Sequence, residues 1–272
     1  MAQARRVADL LTERHPGMSV RFVEIVTHGD RDTTGDITAL TEIGAFVAAV
    51  QQAVLDDRAD IAVHSLKDLP IKGHDDLVLA AFPERVSPFD VMVGRSLDEL
   101  EPGSLVGTGS PRRSAQLSDL RPDLRTVGLR GNVDTRVRKV SEGEVDGAVL
   151  AEAGLERLGL SDRIAQRFGA DEMVPAPGQG ALAVEARAYT EAAEIATTID
   201  DPRLRTLLDA ERELLAQTQA GCRSALGALA TWAGEQIRMD IFVSDDNGPR
   251  RTSVEGADVE EVVGAGREEL GL

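Results

Sequence analysis

Short runs of Val, Ile, Leu and Ala recur along this chain with helical stretches between them, and that alternation constrains the fold more than any other feature. "QARRVADLLTERHPG" spaces Val7, Leu10 and Leu11 on one helical face and ends at a Pro-Gly stop. "SVRFVEIVT" (19–27) reads as a strand, "GAFVAAVQQAVLDD" as a helix, "ADIAVHS" as a buried strand and "LVLAAF" as another. A second series begins near Phe89, with strands at "DVMVG", "SLVGTG", "RTVGLRG" and "VDGAVLA". Helices at "PRRSAQLSDL", "NVDTRVRKVSEG" and "EAGLERLG" separate them. The expected fold class is α/β, with a mainly parallel sheet covered on both faces. "VPAPGQGALAVEA" (174–186) is a Pro/Gly-rich crossing into an apolar strand that leads back towards the first series. A third unit follows: the helix "RLRTLLDAERELLAQTQ", a hairpin signal at the DNG turn, and a closing helix "DVEEVVGAGREEL".

With 272 residues and 42% apolar composition, the chain can build more than one core. Its formal charge of −17 argues against a general nucleic-acid binder, which needs a cationic face. Cys222 is the only cysteine, so neither an intrachain disulfide nor a CxxC metal site can form, and no metal is expected. No run approaches the ~18 apolar residues of a membrane span, and no signal segment opens the chain. The expectation is a soluble, cytoplasmic protein without a membrane partner.

Three polar sets follow strand ends, where open α/β sheets bind ligands. Lys67 and Asp68 follow "ADIAVHS"; Ser110, Arg112 and Arg113 follow "SLVGTG"; Arg130, Asn132 and Arg136 follow "RTVGL". Ser110 is a good N-cap and Pro111 suits the first helical position, so free amides and two guanidiniums converge on one point. Such a helix start attracts an anion. Asn132 is placed to cap the next helix in the same way, with Arg136 one turn on. Several arginines imply a ligand with several carboxylates or phosphates. The bland readings are solvated surface charge for Arg112 and Arg113, a surface pair for Lys67 and Asp68, and a buried structural thiol for Cys222. His64 reads as a hydrogen-bonded structural residue, and "GQG" (178–180) matches no nucleotide fingerprint.

"RADIAVHSLKDLP", "VGTGSPRRSAQL", "LRGNVDTRV" and "PAPGQGALAVE", in this order and with the late "AGC", resemble the porphobilinogen deaminase (hydroxymethylbilane synthase) family. The similarity runs from about residue 3 and weakens after roughly residue 230. The resemblance implies two type II periplasmic-binding-protein-like domains with a cleft between them, plus a small α+β C-terminal domain. Residues 1–84 with 178–199 would form the first, 85–177 the second and 200–272 the third. The implied enzyme is a monomeric transferase of tetrapyrrole (haem) biosynthesis. It joins four porphobilinogen molecules head to tail, releasing ammonia each time, on a dipyrromethane cofactor held by a cysteine thioether. Its partners would be porphobilinogen and the growing linear pyrrole chain.

Residue by residue, the resemblance implies Asp68 as the catalytic carboxylate, which would stabilise the positive pyrrole nitrogen left by ammonia loss. Cys222 would carry the cofactor. Lys67, Thr108, Ser110, Arg112, Arg113, Gly131 and Asn132 would surround it. Ser65, Phe46, Arg130, Arg136, Arg157 and Gln179 would contact substrate. The family opens with a strand of the type "IATRxSxLA", whereas this chain begins in the helix that follows it. That departure is read as a start site called too late or a truncated chain, and is expected to expose apolar surface and unpaired backbone. Ile43, in "LTEIGAFV", stands where a glycine-rich loop carries a lysine. The competing class is a non-catalytic paralogue that binds a polycarboxylate metabolite.

Overall fold

Most of the apolar runs fold as strands and the periodic stretches as helices in the computed structural model of the chain, which describes residues 1–25, 39–218 and 225–272. The first half contains α1 (Ala2–Arg14), α2 (Ala39–Leu55), β1 (Ile61–Ser65), β2 (Leu77–Ala81), β3 (Asp90–Val93), β4 (Leu105–Gly107), α3 (Pro111–Leu120) and β5 (Arg125–Val127). Then come α4 (Val133–Ser141), β6 (Gly147–Ala151), α5 (Glu152–Arg157), β7 (Ile164–Arg167), β8 (Leu182–Arg187), α6 (Glu191–Thr197) and α7 (Pro202–Gln217). The chain closes with β9 (Ala225–Ala233), β10 (Gln236–Asp245), β11 (Gly248–Gly256) and α8 (Val259–Leu270). These elements group into two units, residues 1–85 with 181–206 and residues 86–180 with 207–272.

The first unit holds a three-stranded sheet in the order β1-β8-β2. Both pairings are antiparallel, with Val63 opposite Val184 and Leu79 opposite Glu185. This corrects the expectation of a mainly parallel sheet. β1 and β2 do point the same way, but β8, arriving from a hundred residues later, runs between them in the opposite sense. Val7 and Leu11 of α1 pack with Ala81, Leu182, Val184 and the α6 residues Ala193 and Ala196. On the opposite face, Val54 of α2 meets Ala62 and Leu77. The strand expected over 19–27 does not form in its described part: residues 19–25 join no ladder. Val20, Phe22 and Val23 are exposed, and among the described residues the outer edge of β1 has no strand partner. A groove of about 830 Å³ lies there, lined by Leu11, Phe22, Val50, Ile61, Val63 and Ile195 among others.

In the second unit a five-stranded mixed sheet runs β5-β4-β6-β3-β7. β4 lies parallel to β5 and β6, whereas β3 is antiparallel to β6 and β7. Alternate side chains of β3 feed opposite cores, Met92 with Val106, Val149, Leu117 and Phe168, and Val91 and Val93 with Val137, Leu150 and Leu155. Strands β9, β10 and β11 form an antiparallel meander whose inner face packs on α7 and α8 through Leu214, Ala228, Ile237, Ile241 and Val262. Gly266 lets α8 approach closely, since a Cβ there would collide with the Ile241 side chain. α3 packs against this meander, and Val174, Leu229 and Phe242 form one apolar cluster that fixes the surroundings of the α3 start.

Candidate functional site

The candidate residues fall into two sets, one in each unit. In the first, β1 ends at Ser65 and the chain makes a single 3₁₀ turn over Leu66–Asp68. Leu66, 1% exposed, anchors that turn, and the Leu69 amide closes it on the Leu66 carbonyl at 3.1 Å. Asp68 is thereby held half-buried and Lys67 exposed. The Ser65 hydroxyl accepts a 2.7 Å hydrogen bond from Gln3 Nε2 on α1. Beneath the turn, buried His64 places Nε2 3.1 Å from Glu185 Oε2, and Gln51 Nε2 donates to both Glu185 oxygens at 3.0 Å. His64 is thus packed and buried, but its Nε2 makes no hydrogen bond among the described residues despite that approach, which corrects the hydrogen-bonded part of the expectation. Phe46 lies exposed on α2, and the "LTEIGAFV" stretch around Ile43 is helix from Ala39 onward rather than a glycine-rich loop.

The second set gathers around the start of α3. Ser110 caps the helix, its hydroxyl accepting from the Arg113 amide at 3.4 Å, and Pro111 takes the first helical position. Thr108 Oγ1 accepts from the Ser110 amide at 3.2 Å, which holds the approach to the cap. The helix start matches the sequence reading, but the arginines do not stand open in the way that reading expects. Arg112 and Arg113 are 4% and 6% exposed, and both face Asp90, which is fully buried on β3. Arg112 Nη1 donates to Asp90 Oδ2 at 2.7 Å and to the Val174 carbonyl at 2.6 Å. Arg113 donates to Asp90 Oδ1 from Nε at 3.0 Å and from Nη2 at 2.7 Å, and from Nη1 to the Val149 carbonyl at 3.1 Å. Gln179 Nε2 adds a further donor to Asp90 Oδ1 at 2.9 Å. An internal carboxylate therefore takes the place expected for an outside anion.

Burial pushes the Asp90 carboxyl up, but the charges of Arg112 and Arg113 and the hydrogen bonds from Arg112 and Gln179 outweigh it. The group is held well below the usual carboxylate range. For Arg112, burial lowers the guanidinium pKa, Asp90 opposes that, and the neighbouring Arg113 charge adds to the lowering. One carboxylate against two guanidiniums leaves the cluster with a net positive charge in a place where water is scarce. Arg136 contributes to the same field: its pKa is lowered by burial and then by Arg113.

Arg130 and Gly131 lie on the exposed loop after β5, and Gly131 adopts φ +109°. Asn132 occupies the N-cap position of α4, but its side chain caps no backbone amide. Its Oδ1 instead accepts the Thr135 hydroxyl at 2.5 Å, which corrects the expected capping role. Arg136 folds back to donate from Nε to the Gly131 carbonyl at 2.6 Å. Arg157 is exposed at the end of α5. Cys222 lies outside the described residues. Among the described residues no group of three His, Cys, Asp or Glu side chains could hold a metal ion.

Besides Glu185, two buried carboxylates escape a reading of the motifs. Asp90 is a lone charge opening an apolar run, and that mismatch is the signal it offers. Glu211 sits at helical spacing between Leu207 and Leu214 on the buried face of α7 and is itself fully buried. Its carboxylate accepts from the Gly178 amide at 2.7 Å and the Ala230 amide at 2.9 Å, tying α7 to the Pro/Gly-rich crossing and to β9.

Residues 1–195 match the model of the family described as "Porphobilinogen deaminase, dipyromethane cofactor binding domain". A porphobilinogen deaminase of Thermobifida fusca is 45% identical over 251 residues, covering 89% of this chain and 78% of that protein. Porphobilinogen deaminase 1 of Streptomyces coelicolor is 46% identical over 238 residues, 85% of this chain and 74% of that protein. A third relative, from a Roseiflexus strain, is 40% identical over 270 residues, 98% of this chain and 89% of its own length.

Proposed function

The chain belongs to the porphobilinogen deaminase family, and from that premise we infer that it is a transferase that condenses four porphobilinogen molecules head to tail. Each addition releases ammonia, and the product is the linear tetrapyrrole hydroxymethylbilane. The observation that carries this reading to the level of residues is the cationic excess at the start of α3. Two buried guanidiniums share one carboxylate there, and Arg136 lies within electrostatic reach of Arg113. A ligand rich in carboxylates suits such a place, and each pyrrole unit brings an acetate and a propionate.

The donor set also fits the dipyrromethane cofactor, because a buried positive excess needs an anion that the described residues do not supply. When bound, that group contributes an electron-rich pyrrole end to be extended. Cys222 is the residue that would hold it by a thioether, with Lys67, Thr108, Ser110, Arg112, Arg113, Gly131 and Asn132 around its carboxylates. Asp68, half-buried on its turn, is the group proposed to face the pyrrole nitrogen, where a carboxylate stabilises positive charge and holds a proton. Ser65, Phe46, Arg130, Arg136, Arg157 and Gln179 are proposed to contact the substrate. The proposal includes the three-domain division, with residues 200–272 as the cofactor-bearing domain, and a cytoplasmic monomer. In support of the location, no helix among the described residues is long and apolar enough to cross a membrane. Intact-mass measurement of protein incubated with porphobilinogen tests the reading: an adduct of two linked pyrrole units is expected, and it is lost in Cys222→Ser. Unmodified wild-type protein would refute it.

A further inference from the structure

Contacts from α3 and β9 converge on the backbone at Val174 and Pro175. Gln116, fully buried on α3, clasps the Val174 backbone from both ends of its amide: Oε1 accepts from the Val174 N–H at 2.8 Å, and Nε2 donates to the Val174 carbonyl at 3.0 Å. The same carbonyl accepts from Arg112 Nη1 at 2.6 Å. From the other side, the Ala228 amide of β9 donates to the Pro175 carbonyl at 2.9 Å. A Cβ at Gly227 would stand 2.6 Å from the Val174 oxygen. The Gly227 backbone is not in the left-handed region, so conformation does not demand glycine there. What excludes a side chain is the room taken by Val174.

Residues 174–179 form a strap tethered along its length. Beyond Val174 and Pro175, the Gly178 amide donates to Glu211 of α7, and the Gln179 side chain donates to Asp90 and to the Pro88 carbonyl. β9 is seated on this fixed segment. It begins at Ala225, three residues after Cys222, and Ala225 and Leu229 pack in one cluster with Val174 and with Ala115 of α3. The seat of β9 on the strap therefore sets where the chain re-enters the fold after Cys222, relative to the start of α3.

We propose that Gly227 and Gln116 are positioning residues: Gly227 lets β9 seat on the strap, Gln116 holds the strap still, and together they set the register of the Cys222-bearing segment against the start of α3. Gln116 is sealed in the core and Gly227 has no side chain, so each acts through Val174 and not by touching a ligand. That Cys222 carries the cofactor rests on the function proposed above. The register rests on the packing at Val174 alone.

The same meander supplies a control. Gly266 of α8 is also kept for room, against the Ile241 side chain. Ile241 and Phe242 are successive residues of β10 and point to opposite faces, so α8 packs on the face away from the strap. The full chain and its Gly227→Ala, Gln116→Met and Gly266→Ala variants are incubated with porphobilinogen, and adduct formation is followed by intact mass. Melting temperature, and the rate at which iodoacetamide alkylates Cys222, the chain's only cysteine, are recorded before loading. Gly227→Ala and Gln116→Met are expected to load at least about tenfold more slowly than wild type and to alkylate at a rate changed at least about threefold. Gly266→Ala is expected to lower the melting temperature yet keep both rates within about threefold of wild type. Equal slowing in Gly266→Ala overturns the proposal, because lost stability alone then accounts for the effect. Loading within about threefold of wild type in Gly227→Ala or Gln116→Met overturns the role given to that residue. If Gly227→Ala fails to fold, Gln116→Met decides by the same criteria. Wild-type protein that gains no adduct refutes the functional reading itself, and the alkylation rates then decide the register.

Discussion

Replacing Asp90 by asparagine keeps the shape of the side chain and removes the one negative charge that two buried guanidiniums share. The asparagine oxygen can still accept from Arg113, but its NH₂ group then meets Arg112 Nη1 donor to donor, at a position now 2.7 Å from Oδ2. Removing one partner of a buried ion pair costs about 3–5 kcal/mol, because the remaining charges stay buried without compensation. At about 2–4 °C per kcal/mol for a chain of this size, the melting temperature should fall by about 6–20 °C. Calorimetry of the apoprotein at pH 7 measures this directly. The pH dependence supplies a second check with a definite sign. The folded-state pKa of Asp90 is depressed, so its stabilisation is fully present above the unfolded carboxylate value of about 3.9 and is lost as pH falls below it. The gap between wild type and Asp90→Asn should therefore be constant from about pH 5 to 8 and narrow below about pH 4. A fall in melting temperature of less than about 2 °C, or a gap that widens on acidification, would refute the reasoning.

Two further outcomes are expected. Glu211→Ala orphans the buried Gly178 and Ala230 amides at about 1–3 kcal/mol each, so the urea midpoint should fall by at least about 2 kcal/mol equivalent with an unchanged m-value; a change within 0.5 kcal/mol would discount the double tether. Asp68→Asn should abolish ammonia release from porphobilinogen while the melting temperature stays within about 2 °C, since the side chain is only half-buried; retained turnover would remove it from the chemistry.

Local signals carried much of the architecture. The Ser110-Pro111 start, the turn at Asp246 and Asn247 between β10 and β11, and the apolar spacing of α1, α7 and α8 are properties of a few adjacent residues, and each element forms where its signal lies. What the sequence hides depends on distant partners. Asp90 stands twenty-two residues before Arg112, and nothing local says that the two arginines turn inward to it rather than outward to a ligand. The antiparallel setting of β8 follows from the return path of the chain, which periodicity does not encode. β7 went unread because its short "IAQR" run alternates half-buried and exposed residues without a strong apolar face. The Asn132 cap fails for a local reason instead: Thr135, three residues on, gives its hydroxyl to the amide oxygen.

The central place of β8 also sets a timetable for synthesis. β1 and β2 leave the ribosome early, yet the strand that hydrogen-bonds to both spans residues 182–187 and emerges a hundred residues later. The first unit therefore waits with its strand edges unpaired while residues 86–180 of the second emerge. Long-range pairing of this kind is intrinsically slow and leaves the nascent chain open to misassociation. Transposing residues 181–206 to directly ahead of residue 1 would remove the wait, and refolding of the rearranged chain should be the faster of the two.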